Sequence, residues 1–163
     1  MRFTRPCLRR AGRHKREIPA MGRRYDTLLQ VISAWRAKDS ETVLSFMADD
    51  IVWHYAAAAM PPATGKAAAG KLLERLKRDM HDIQWRVFHY AETDDRLFVE
   101  GVDEYTTSDG RRVAAPYAGI YEFRDDLIIG WRDYVDLGVI AAQQNGEPSP
   151  RQVNQLLDRP DCA

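Results

Sequence analysis

Two aspartates stand where the buried side of a sheet should be. In LFVEGVDEY the odd positions Val99, Gly101, Asp103 and Tyr105 share one face of an extended strand. In LIIGWRDYVD that face holds Leu127, Ile129, Trp131, Asp133 and Val135. Both sets are otherwise apolar, small or aromatic, so Asp103 and Asp133 are expected to point inward. A carboxyl in an apolar cavity resists ionising, which suits proton transfer near neutral pH. A second carboxyl nearby lets one group donate while the other accepts. Asp133 is therefore the expected general base and Asp103 its partner acid. Tyr117, in RVAAPYAGIYEF, is the expected hydrogen-bond donor to a substrate oxygen or to Asp133. Trp53, Tyr55, Trp85, Tyr105, Trp131 and Val135 would form the walls, which favours a small, apolar, oxygen-bearing substrate. The competing reading gives both aspartates structural work, paired with an arginine or with backbone.

The elements that must position these groups read as helices first and strands afterwards. Leu28, Leu29, Val31, Ile32 and Trp35 lie at helical spacing between Tyr25 and Lys38. Asp39 or Ser40 can cap a shorter helix burying Val43, Leu44, Phe46 and Met47. Asp49-Asp50 is expected to break it before a strand at 51–56, and a third helix runs over about 66–80. From Gln84 the period becomes two, in runs 84–92, 96–107, 111–124 and 127–137 with short polar separators. The predicted fold is α+β: a strongly bent antiparallel sheet, with the helices on one face. Three-residue loops at 108–110 and 124–126 would place Asp103 opposite Ala115, Gly101 opposite Tyr117, and Tyr117 opposite Asp133. Arg132, facing outward, is expected to pair with Glu100, Glu104 or Asp136.

Of the 163 residues, 24 are basic and 24 acidic, but the balance conceals two unlike pieces. Residues 1–24 carry nine Lys or Arg and one acid, while residues 25–163 keep 15 basic and 23 acidic residues, a net charge of −8. An acidic body without a basic patch is poorly suited to nucleic acid. The expected division is a basic, disordered leader at 1–22, a domain over 23–142 and a loosely ordered tail over 143–163, with Met21 an alternative start. No run approaches the length of a membrane span. Cys7 and Cys162 lie near opposite ends and make no disulfide framework, so a cytoplasmic setting is expected. His54, His81 and His89 lack metal-ligand spacing, so neither a metal nor a cofactor is expected. An apolar outer stripe of Phe98, Val102, Ile120 and Ile128 suggests a homodimer through the sheet.

The element order, with VEGVDEY, DGRRVAAPYAGIYEF and GWRDYVDL, resembles the nuclear transport factor 2-like superfamily over roughly residues 24–140. Within it the chain is most similar to the SnoaL-like group and the limonene-1,2-epoxide hydrolases. The resemblance implies a cone-shaped sheet around three N-terminal helices, with a deep open-ended pocket and frequent dimerisation. In the hydrolases an Asp-Arg-Asp set activates water and protonates the epoxide, helped by a Tyr and an Asn. Carried over by motif, the two aspartates fall on Asp133 and Asp103, the arginine on Gly101, and the Tyr-X-Asn stretch on Trp53-His54-Tyr55. The aspartates are kept and the other three positions differ. The resemblance thus implies hydrolase-like or ketosteroid isomerase-like acid–base chemistry, or a binding or assembly module with a degenerate site.

Overall fold

The computed structural model describes residues 23–163; the basic leader at 1–22 lies outside the described residues. Helix α1 (Arg23–Arg36) buries Tyr25, Leu28, Val31, Ile32 and Trp35, as its spacing requires. Helix α2 (Ser40–Ser45) starts at Asp39, whose carboxylate accepts from the Thr42 amide at 3.0 Å. Strand β1 (Met47–His54) begins earlier than expected. Asp49 and Asp50 do not break the chain; they stay exposed within the strand, where Asp50 accepts from Arg124 at 2.6 Å. A two-residue strand β2 (Ala63–Thr64) pairs with β1 and leads into α3 (Lys66–Asp79).

Four long strands follow: β3 (Met80–Glu92), β4 (Arg96–Thr107), β5 (Arg112–Arg124) and β6 (Leu127–Val135). The sheet order is β2-β1-β6-β5-β4-β3, with β1 and β6 parallel and the remaining pairs antiparallel. This is the expected curved, unclosed α+β sheet. Helices α1 to α3 and the inner face share one core, from Leu28, Ile32 and Leu73 to Val87, Leu97 and Tyr121. The helices are not confined to that face. Asp136 caps α4 (Leu137–Gln144), and α5 (Arg151–Leu157) buries Val153 against Phe88, Val102 and Ala114. Part of the stretch expected to be a loose tail is thus packed on the sheet. Val102 is covered and Ile128 belongs to the inner core, so the expected outer stripe is reduced to Phe98 and the half-buried Ile120.

The β4–β5 register is the one expected: Gly101 faces Tyr117 and Asp103 faces Ala115. The left-handed Gly110, at φ 84°, completes that hairpin. The β5–β6 hairpin is tighter than expected. Arg124 pairs with Leu127, leaving only Asp125 and Asp126 in the turn, both with positive φ. Phe123 then pairs with Ile128, but Glu122 pairs with Gly130, so Ile129 is the extra residue of a β-bulge. Leu127 and Ile129 consequently leave the inner face assigned to them, and Ile128 enters it. Past the bulge, Trp131, Asp133 and Val135 share the face of Tyr121, Gly119 and Tyr117. Tyr117 therefore opposes Val135, and Asp133 opposes Gly119. Arg132 pairs across the strand with Glu122 at 3.0 Å rather than with the three acids expected.

β6 ends opposite Tyr117, so β5 needs another partner beyond it. The buried Gln143 supplies one from α4. Its Oε1 accepts from the Ala114 amide, and its Nε2 donates to the Ala114 and Val139 carbonyls, each at 3.0 Å. Gln143→Leu keeps the bulk and orphans the Ala114 backbone groups. It is expected to cost about 3 kcal/mol in chemical denaturation, with faster amide exchange at Ala114.

Candidate active site

All nine residues singled out from sequence line one cavity: Asp103, Asp133, Tyr117, Trp53, Tyr55, Trp85, Tyr105, Trp131 and Val135. Alternation along β1, β3, β4, β5 and β6 brings them together. The cavity itself is small, about 50 Å³, within a cleft whose empty space, mouth included, amounts to about 660 Å³. The site is a narrow slot. Its floor is aromatic: Trp131 stacks between Trp53, at 4.7 Å, and Trp85, at 5.6 Å.

The three carboxylates enclosed by the sheet differ in their partners. Glu104 points to the outer face, where Arg86 and Arg112 each approach it to 2.7 Å. No cation pairs with Asp103 or Asp133 among the described residues, which sets aside the arginine-paired structural reading. Asp133 is buried; Asp103 keeps some surface open to the slot, yet its Oδ1 is sealed from water. Burial pushes the Asp103 carboxyl up to about 8, with the charges of Asp133 and Glu104 adding to the effect. Burial pushes Asp133 up to about 7, opposed by the indole N–H groups of Trp131 and Trp53. Neither indole closes a full hydrogen bond: both nitrogens and Asp133 Oδ1 are without a partner. The buried Tyr121 hydroxyl is likewise unpartnered and feels the charge of Asp133.

The register separates the two aspartates by four residues along the strands and two strands across. On a flat sheet that is roughly 17 Å between backbones, more than the roughly 12 Å the shorter loop arithmetic predicts. Their charges still reach each other, because the sheet curls and both side chains project to its concave side.

Tyr117 does not have the donor role expected of it. Its hydroxyl accepts from Trp85 Nε1 at 2.7 Å and donates its only proton to the Arg86 carbonyl at 3.2 Å. It is a wall, and it occupies the space beside Gly101. A Cβ at Gly101 would lie 2.8 Å from both Tyr117 Cε1 and its hydroxyl, and 1.9 Å from the Arg86 carbonyl oxygen. Tyr55 is the better-placed phenol. It makes no hydrogen bond among the described residues, and both aspartates reinforce the effect of burial in pushing its ionisation up. Sequence reasoning passed over Gly119, which leaves room for Asp133: a Cβ there would stand 3.2 Å from Asp133 Oδ1. The signal was a glycine of the same parity as the inward aromatics. Tyr121 has the parity of Tyr117, but its orphaned hydroxyl depends on three-dimensional packing.

No group of His, Cys, Asp or Glu suited to a metal occurs among the described residues, and no described helix is long and apolar enough to cross a membrane.

An open, curved sheet with N-terminal helices against its inner face and inward carboxyls in an aromatic slot has the architecture of the nuclear transport factor 2-like fold. Residues 28–131 match the SnoaL-like domain, and the chain belongs to that family. Its fold is shared by an epoxide hydrolase of the limonene-1,2-epoxide hydrolase-like type from M. tuberculosis. That structure is 21% identical with a TM-score of 0.66, covering 77% of this chain and 91% of the other. A SnoaL-like polyketide cyclase, so described provisionally, from Shewanella putrefaciens gives 15% identity and a TM-score of 0.68, covering 79% and 98%. A protein with a ketosteroid isomerase-like fold from Catenulispora acidiphila gives 19% and 0.67, covering 76% and 95%. At these identities the likeness concerns the fold.

Proposed function

We propose that the chain is a cofactor-independent enzyme that moves a proton on a small apolar molecule bearing an oxygen function, as in isomerisation or cyclisation. One observation carries the reading: two unpaired carboxyls and two unpartnered indole N–H groups line a slot that is otherwise apolar. Buried polar groups without partners are rare, and a cluster of them in a cavity favours a ligand that completes them. Asp133, the more acidic of the pair, is the general base, its carboxylate steadied by the indole dipoles of Trp53 and Trp131. Asp103, which holds its proton to higher pH, donates to the substrate oxygen as negative charge develops there. Tyr55 is the second donor to that oxygen.

The hydrolase route is less favoured. Gly101 and Tyr117 leave no room for an arginine between the carboxyls, and its charge would be needed to organise them. The same filling supports the second reading, a binding or assembly module that retains the slot without chemistry. Cys162 is disulfide-bonded, which an oxidising setting favours over the cytoplasm expected from the cysteine spacing. A homodimer would pair through the Phe98 and Ile120 patch of the outer sheet face.

The test is a panel of unsaturated ketones and epoxides, assayed with wild type and Asp133→Asn. For a ketone that turns over, the variant is expected to lose roughly a hundredfold or more in kcat. The wild-type profile is expected to be bell-shaped, needing Asp133 ionised above about 7 and Asp103 protonated below about 8. Turnover that survives Asp133→Asn would end the assignment, and an inert panel with tight binding of apolar ligands would favour the binding module.

A further inference from the structure

A second cavity adjoins the slot, and Tyr55 belongs to both. It is wider, with a cavity volume of about 280 Å³. One wall is the segment carrying Met60 and Pro62, and the other is the face of α3 bearing Lys71, Leu72 and Arg75. Lys71 and Arg75 are separated by one helical turn, so both ammonium and guanidinium can reach the same space.

These two cations differ from most others in the protein. Arg86 and Arg112 hold Glu104, Arg96 and Arg132 hold Glu122, and Arg124 holds Asp50. Lys71 and Arg75 have no ion-pair or hydrogen-bond partner among the described residues. Arg75 nevertheless reaches inward electrostatically, since its charge acts on the Tyr55 hydroxyl against the effect of the two aspartates. Residues 25–163 carry a net charge of −8, and in that setting two cations left without a carboxylate at a cavity mouth give an anion a local attraction there. Inside the slot the situation reverses, because a second negative charge beside Asp133 would be strongly disfavoured.

We propose that the vestibule formed by Lys71, Arg75 and the Met60–Pro62 wall holds the carboxylate of an amphiphilic organic acid, whose apolar body enters the slot past Tyr55. This rests on the small-molecule reading above and narrows its substrate class to organic anions. The two cations would supply orientation: they keep the charged end outside and deliver the opposite end to Asp133 and Asp103.

The chain's four tryptophans, Trp35, Trp53, Trp85 and Trp131, all line the slot, so intrinsic fluorescence reports its occupancy. The probes are 3-phenylpropanoate and its neutral isostere 3-phenylpropanamide, titrated at low salt into the full chain. The wild type is expected to bind the acid about five- to tenfold more tightly than the amide. In the Lys71→Gln/Arg75→Gln double variant that ratio is expected to fall below about twofold, with amide affinity unchanged. Gln is a good helix former, and both positions are exposed, so α3 should persist. Arg78→Gln, on the same helix but outside the vestibule, should leave the ratio intact. Equal binding of acid and amide by wild type would overturn this proposal while leaving the slot reading in place. Binding of neither would overturn both. Equal weakening of both probes in the double variant would also overturn it, since the loss would then not depend on charge.

Discussion

Asp133→Asn is expected to be more stable than wild type at pH 9 and indistinguishable from it near pH 3. The sign follows from the raised carboxyl. In the unfolded chain Asp133 ionises near its ordinary value of 3.8, whereas in the folded protein it holds its proton to about 7. Between these values the folded state binds more protons, so wild-type stability falls as pH rises through the window and levels off above 7. A three-unit shift corresponds to about 4 kcal/mol as an upper bound, and water entering the slot lowers it to the order of 3 kcal/mol. Asparagine has the same shape and never ionises, so the variant escapes the penalty. Thermal or urea unfolding across pH checks this. A variant equally or less stable than wild type at pH 9 would mean that Asp133 is not held in an apolar setting. Together with lost turnover, a gain in stability would assign the loss to chemistry rather than to damaged folding, since sites that work often weaken the fold that carries them.

Gly101→Ala is expected to cost about 3 kcal/mol or more, a large share of the roughly 5–15 kcal/mol by which such a domain is stable. The new methyl would fall 1.9 Å from the Arg86 carbonyl oxygen, a backbone atom fixed in the β3–β4 ladder. Tyr117 could swing away; Arg86 O cannot move without parting the strands. The double variant Gly101→Ala/Tyr117→Phe should accordingly recover little, and near-wild-type urea midpoints for either would refute the account. An arginine cannot be accommodated at position 101 by one exchange, because the strand spacing and the Tyr117 ring leave no room even for its Cβ.

Much of the site was legible because alternation is a strong constraint. Once β4 and β5 are seen as strands, the parity of Asp103, Tyr117 and Tyr105 follows, and every expected lining residue reaches the cavity. The β5–β6 register was not legible, because it depends on a two-residue turn of aspartates in left-handed conformations and on a bulge at Ile129. Neither has a composition that separates it from a three-residue loop. The face of Asp133 was still read correctly, since the turn and the bulge together restore the parity that a simple loop would give. Leu127, Ile128 and Ile129, lying between those two irregularities, were read on the wrong sides. The engagement of Tyr117 with Trp85 and Arg86 was hidden for another reason: hydrogen-bond partners two strands away are not encoded in periodicity.

The bulge at Ile129 makes the character of the cavity hang on one unpaired residue. If Ile129 were drawn into the ladder opposite Glu122, and pairing continued regularly from Phe123–Ile128, Gly119 would face Arg132 instead of Asp133, and Tyr117 would face Tyr134. Ironing out the bulge in this way would turn the distal half of β6 over. It would send the carboxylate to solvent and bring a guanidinium into the interior. Lineages of this fold thus have a route to exchange an acid-lined chamber for a cation-lined one through a shift of phase, without mutating any residue that lines it.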